Sequence, residues 1–150
     1  VAESLEGKAH SITGGCVCGA VRFTATSEPL RITVCHCLWC QQRTGSAFGV
    51  EVVFNATDIE IVGDALRHYV HRSDESGRWI EQKFCTECGS NIGLTLEAMP
   101  GIQSIAAGVF DDQALLKSDE ILVRHVFTRS AQAWSSIPEN LERFERHFRQ

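Results

Sequence analysis

Cys35-His36-Cys37-Leu38-Trp39-Cys40 sets three thiols within one short stretch, and its reading decides what kind of chain this is. Cys16-Val17-Cys18 lies before it and Cys85-Thr86-Glu87-Cys88 after it, and the three groups together hold all seven cysteines. An odd number leaves a thiol over when disulfides pair. Seven does divide into four and three, the ligand counts of a closed tetrahedral zinc site and of one with a free coordination position. The arithmetic predicts two zinc ions per chain, one for the fold and one for a reaction.

Cys85-x-x-Cys88 followed by Gly89 reads as a zinc knuckle, since a CxxC turn brings two sulfurs onto one ion and glycine lets the backbone curl. A redox CxxC is the competing reading, but no βαβ pattern surrounds it. The knuckle needs a second pair, and Cys16 and Cys18 face the same way in an extended chain. They could instead join the central group. In that group Cys35 and Cys37 share a face, the following turn brings Cys40 round, and His36 points away. This favours an open three-cysteine site over a second structural zinc completed by His36 or a distant histidine. Three thiolates overcompensate a divalent ion, so such a centre is poorly suited to generating hydroxide. It suits a fourth sulfur, which points to a thiol substrate.

The remaining composition sets bounds. The chain has 150 residues, 43% hydrophobic and 22% charged, which predicts one soluble globular domain spanning 1–150. No apolar run is long enough to span a bilayer. Residues 1–10 carry Glu3, Glu6 and Lys8 without an apolar stretch, unlike a signal peptide. With closely spaced cysteines this leads to an expected cytoplasmic location. A net charge of −5 without a basic stripe argues against a nucleic-acid partner.

Period-two alternation dominates the sequence. Ala20 to Thr26, Leu30 to Val34, Ser46 to Phe54, Asp58 to Val62, Ala65 to Arg72, Arg78 to Phe84, Asn91 to Leu96 and Gln103 to Val109 read as strands. Gly14-Gly15, Glu28-Pro29, Gly63-Asp64, Ser73 to Gly77 and Pro100-Gly101 mark the turns. After Pro138, Leu141, Phe144 and Phe148 recur at helical spacing. The predicted fold is mostly β, antiparallel and pinned by zinc, with a short C-terminal helix.

From about Gly14 to Phe144 the chain resembles the glutathione-dependent formaldehyde-activating enzymes, grouped with centromere-protein-V-like proteins. The resemblance lies in Gly15-Cys16-Val17-Cys18-Gly19, in Cys35 to Cys40 with Gly45-Ser46-Ala47-Phe48 behind it, and in Phe84-Cys85-Thr86-Glu87-Cys88-Gly89. Ala107-Gly108-Val109-Phe110-Asp111-Asp112, His125-Val126-Phe127 and Ala133-Trp134 add to it. It implies a β-tent fold, a structural zinc on Cys16, Cys18, Cys85 and Cys88, and a catalytic zinc on Cys35, Cys37 and Cys40. The activity it implies is a carbon–sulfur lyase condensing glutathione with formaldehyde to S-(hydroxymethyl)glutathione. Trp39 and Gln41-Gln42-Arg43 depart from the usual family pattern beside the catalytic metal.

Trp39, Arg43, Phe48 and Trp134 are candidates for a substrate pocket, although large aromatics more often fill a core. Arg43, Arg72 and Arg78 could meet substrate carboxylates. His68 and His71 alternate along a polar strand and read as solvated, and His125 is explained as well by packing as by catalysis. Three functional classes follow. The first is an enzyme presenting a thiol, glutathione or another, to formaldehyde or a related small carbonyl compound. The second is a zinc-stabilised module that binds a small ligand or a protein without catalysis, and the third is a zinc-dependent nucleic-acid binder.

Overall fold

The computed structural model describes residues 11–147. Eleven strands and one α-helix follow in chain order. The strands are β1 (Ile12–Gly15), β2 (Arg22–Ala25), β3 (Arg31–Cys35), β4 (Gly49–Asn55), β5 (Ile59–Val62), β6 (Leu66–Arg72) and β7 (Trp79–Cys85). They continue with β8 (Asn91–Leu96), β9 (Ile102–Ala106), β10 (Val123–Val126) and β11 (Glu142–Arg143), while α1 (Leu38–Thr44) separates β3 from β4. Sheet one is β1-β2-β5, and sheet two is β11-β10-β3-β4-β9-β8-β7-β6. Pairing is antiparallel except that β10 runs parallel to β3 and β11 parallel to β10. The mostly β expectation holds.

Alternation along the strands gives the large sheet two different faces. Ile32, Val52, Phe54 and Ile105 turn toward the small sheet and pack with Phe23, Ala25 and Phe110. Phe110 meets Phe23 edge-on at 5.0 Å between centroids. Each fully buried side chain of this kind contributes about 1.5–3 kcal/mol through lost water contact. The intervening residues Arg31, Thr33, Glu51, Val53, Ile102 and Ser104 face a cavity on the opposite side. A second cluster of Cys16, Val21, Ala65, Cys85 and Ile92 joins the two sheets at another point.

The helix expected after Pro138 is not formed among the described residues. Pro138 to Leu141 makes a turn, and β11 then adds to the large sheet. The edge of β10 offers backbone partners that a short, isolated helix cannot match. Phe144 N–H donates to His125 O at 2.9 Å, Thr128 N–H to Phe144 O at 3.1 Å and Phe127 N–H to Arg146 O at 3.1 Å. Phe148 lies outside the described residues. The segment expected as a strand through Val109 instead leaves the sheet after Ala106 in a 3-10 turn, Ala107–Val109. No helix among the described residues is long and apolar enough to cross a membrane.

Candidate metal centres and the adjoining cavity

Cys16, Cys18, Cys85 and Cys88 place four sulfurs within 4.8 Å of one another. The first pair sits in the β1–β2 turn of the small sheet, the second in the β7–β8 turn of the large one. Gly89 adopts φ +77°, and its N–H donates to Cys85 O at 2.9 Å, closing the knuckle. Val21 N–H donates to Cys16 Sγ at 3.2 Å, and the Ser90 hydroxyl lies 3.2 Å from Cys88 Sγ. Such donors stabilise thiolates, and contact with Ser90 lowers Cys88 to about 5. Four soft donors at this spacing fit a tetrahedral ion such as zinc without a further ligand.

Cys35, Cys37 and Cys40 form the second group, with three sulfurs within 4.8 Å. Cys35 ends β3, and Cys37 caps α1 by accepting from Cys40 N–H at 3.3 Å. The helix stops at Gly45, whose φ of +66° and bond to Gln41 O end the turn after only seven residues. Hydrogen bonds from Cys35 and Cys40 lower Cys37 to about 3, and contacts with Cys37 and Cys40, with burial, raise Cys35 well above its usual range. Left to themselves, three such thiols share protons around one thiolate. Full deprotonation needs a compensating cation, so the donor set fits a thiophilic divalent metal.

A buried polar layer backs this trio. Arg43 Nη2 lies 3.6 Å from Cys40 Sγ and 2.5 Å from Glu51 Oε1. Ser104 Oγ donates to Glu51 Oε2 at 2.8 Å. Gly49 makes room for Arg43, because a Cβ there would fall 2.5 Å from Nη2. Behind the trio, His36 Nε2 and His125 Nδ1 are 2.9 Å apart, and burial lowers the pKa of both rings. Gln41 Nε2 donates to His36 O at 2.8 Å and Ser130 O at 2.9 Å, holding the cysteine stretch against the chain after β10.

Cys35, Cys37 and Cys40 all line a cavity of about 390 Å³, whereas none of the other four cysteines does. Trp39 lines it as expected and stacks on His71 at 4.7 Å with 12° between planes. Arg43 lies under Trp39, 5.2 Å from the ring centroid, and lines a separate shallow cleft. Phe48 instead packs edge-on against His36 at 5.4 Å, and Trp134 is 74% exposed and away from the cavity. Arg72 donates to Gly77 O at 2.6 Å, and neither it nor Arg78 lines the cavity. His68 pairs with Glu81 at 3.0 Å.

The residues that sequence reasoning missed are Glu51, His71 and Phe127. Glu51 could have been found as the one carboxylate in the run Val50-Glu51-Val52-Val53-Phe54. Phe127 carries the only positive φ of a described non-glycine residue, +54°, a conformation with no sequence signal, and it lines the cavity.

Two cysteine groups that could each hold a metal ion, one closed and one opening onto a cavity, thus stand on a mostly β scaffold. Residues 11–130 match the family described as glutathione-dependent formaldehyde-activating enzyme, and the chain belongs to that family. No curated protein matches it. Among solved structures, the crystal structure of a Rhodobacter sphaeroides protein is similar at 19% identity and a TM-score of 0.54, covering 74% of this chain and 98% of that one. At that identity the likeness concerns the fold.

Proposed function

We propose that the chain is a zinc-dependent carbon–sulfur lyase of the S-(hydroxymethyl)glutathione synthase type. It joins a thiol, glutathione in the family's name, to formaldehyde or a related small carbonyl compound. The carrying observation is the contrast between the cysteine groups: four sulfurs complete a coordination sphere away from the cavity, and three line the cavity. Cys16, Cys18, Cys85 and Cys88 hold a structural zinc, and Cys35, Cys37 and Cys40 a catalytic one. Zinc at the second site supplies acidification of a substrate thiol, which it keeps as thiolate near neutral pH.

The chain's own residues do the rest. Trp39, His71 and Phe127 wall the cavity beside the trio, limiting water and orienting the two reactants. Arg43 offsets the negative charge on Cys40 from the side remote from substrate. As the sulfur–carbon bond forms, the carbonyl π bond opens and its oxygen takes up the proton given up by the thiol. Seven unpaired cysteines suit the reducing cytoplasm.

Because thiols add to formaldehyde unaided, the test is rate, not product. Exchange spectroscopy on an equilibrium mixture of thiol and hydroxymethyl adduct, with glutathione and separately with 2-mercaptoethanol, should show faster exchange with the two-zinc protein. Cys37→Ser should abolish the gain. No acceleration with either thiol, in protein carrying both zincs, rejects this function.

A further inference from the structure

We propose that the thiol selected by this site has an uncharged alkyl or aryl body, and that the cavity prefers it to glutathione. This rests on the reading that a thiol is activated at Cys35, Cys37 and Cys40. Away from those sulfurs the cavity is lined by Val53 of β4, Ile80 of β7, Leu94 and Leu96 of β8, Met99, and Ile102 of β9. Val53, Leu94 and Met99 are at most 5% exposed, so this is an interior surface rather than a rim. The volume of about 390 Å³ lies in the range of small-molecule pockets, about 300–1,000 Å³.

Charge separates the two kinds of thiol. Glutathione brings two carboxylates and an ammonium group, each of which must shed water on entry. Arg31 and Arg129 are the lining arginines, against the lining carboxylates Glu51, Asp74 and Glu75. Glu51 is already engaged by Arg43 and Ser104, and Glu75 is paired with Arg129. The Arg31 guanidinium lies against the Met99 sulfur, with Nη2 at 3.7 Å. Carboxylates therefore enter a lining where Glu51, Glu75 and Arg129 are already paired within the protein. An apolar body meets aliphatic side chains and loses only unfavourable contact with water. With sulfur at the cysteine end, such a body extends over the strands of the large sheet.

The reaction balances as for any thiol: an S–H bond breaks, a sulfur–carbon bond forms, and the proton passes to the carbonyl oxygen. The probes are phenylmethanethiol, glutathione and ethylbenzene, which has the first probe's shape with methyl in place of the thiol. Binding to zinc-loaded protein is measured by calorimetry and ligand-observed NMR. Phenylmethanethiol should bind at least about tenfold more tightly than glutathione, a ratio within reach of an apolar pocket. Ethylbenzene should bind and compete with it. Leu96→Asp should weaken both apolar probes at least about threefold. If that chain does not fold, Val53→Thr, which adds a hydroxyl at nearly constant shape, carries the same expectation.

Glutathione binding as tightly as phenylmethanethiol, or no binding of ethylbenzene to folded protein, overturns the proposal. Exchange accelerated only with glutathione also overturns it while leaving the carbon–sulfur function standing. Ethylbenzene binding without accelerated exchange for any thiol supports the apolar body and rejects the carbon–sulfur function.

Discussion

Arg43 and Glu51 form an ion pair whose side chains are only 3% and 8% exposed, directly behind Cys40. Arg43 reaches Glu51 through Nη2, and its Nε and Nη1 have no hydrogen-bond partner among the described residues, so Glu51 is its principal anchor. Removing one charge leaves the other buried and uncompensated. Glu51→Gln should therefore cost about 3–5 kcal/mol in urea unfolding, and adding Arg43→Met should recover much of that loss. Equal losses in the single and double variants would show that packing, not charge, holds this layer.

Gly49→Ala tests the docking of α1 in a different way. The added Cβ would lie 2.5 Å from Arg43 Nη2 and 3.5 Å from Cys40 Cβ. Overpacking of this kind costs about 1–3 kcal/mol. The expected outcome is a lower melting temperature together with weaker metal retention by the three-cysteine group, read by zinc release to a chromogenic chelator.

The two cysteine groups should fail differently. Cys85→Ser removes a fully buried ligand and should give unfolded or aggregated protein. Structural zinc contributes about 10–16 kcal/mol in small domains, as large as a typical total stability of about 5–15 kcal/mol. Cys40→Ser should remain folded and lose one zinc per chain by elemental analysis. Identical melting of the two variants would contradict the division into structural and reactive sites.

Burial lowers His125, with His36 and Arg143 adding in the same direction. Because the folded ring resists protonation, its contribution is complete above the unfolded histidine value of about 6.5 and is lost as pH falls through the folded value. Wild-type melting temperature should decline as pH is taken from about 7 to 5, the range in which an ordinary histidine becomes charged. His125→Gln should start lower and decline less over that range. A parallel decline in both would assign the pH dependence to other groups.

The strands were legible because one face of the large sheet is buried under the small one, which imposes period two on Ile32, Val52, Phe54 and Ile105. The cysteine grouping was legible because short ligand spacings survive any fold around them. The tail was not. Leu141 and Phe144 keep helical spacing, yet backbone bonding to β10 decides their structure, and that partner is remote in sequence. His71 was misread for a related reason. Its neighbours Arg67 to Val70 are exposed, and only the stacking of Trp39, brought by α1, turns that strand end into a cavity wall. Trp134 and Phe48 show the converse, aromatic residues near the motifs in sequence that the fold directs elsewhere.

Cys18 and Cys85 stand 67 positions apart, and the span between them contains β3, α1 and the whole three-cysteine group. An ion held at the closed site thus ties a loop that carries the open one within it. Like any cross-link, it shortens the list of shapes open to the unstructured chain as well as bracing the folded one. Two metals so held would be unequal in rank. Stripping the inner ion would leave a scaffold ready to be reloaded, whereas stripping the outer one would untie the loop and scatter the three inner sulfurs with it.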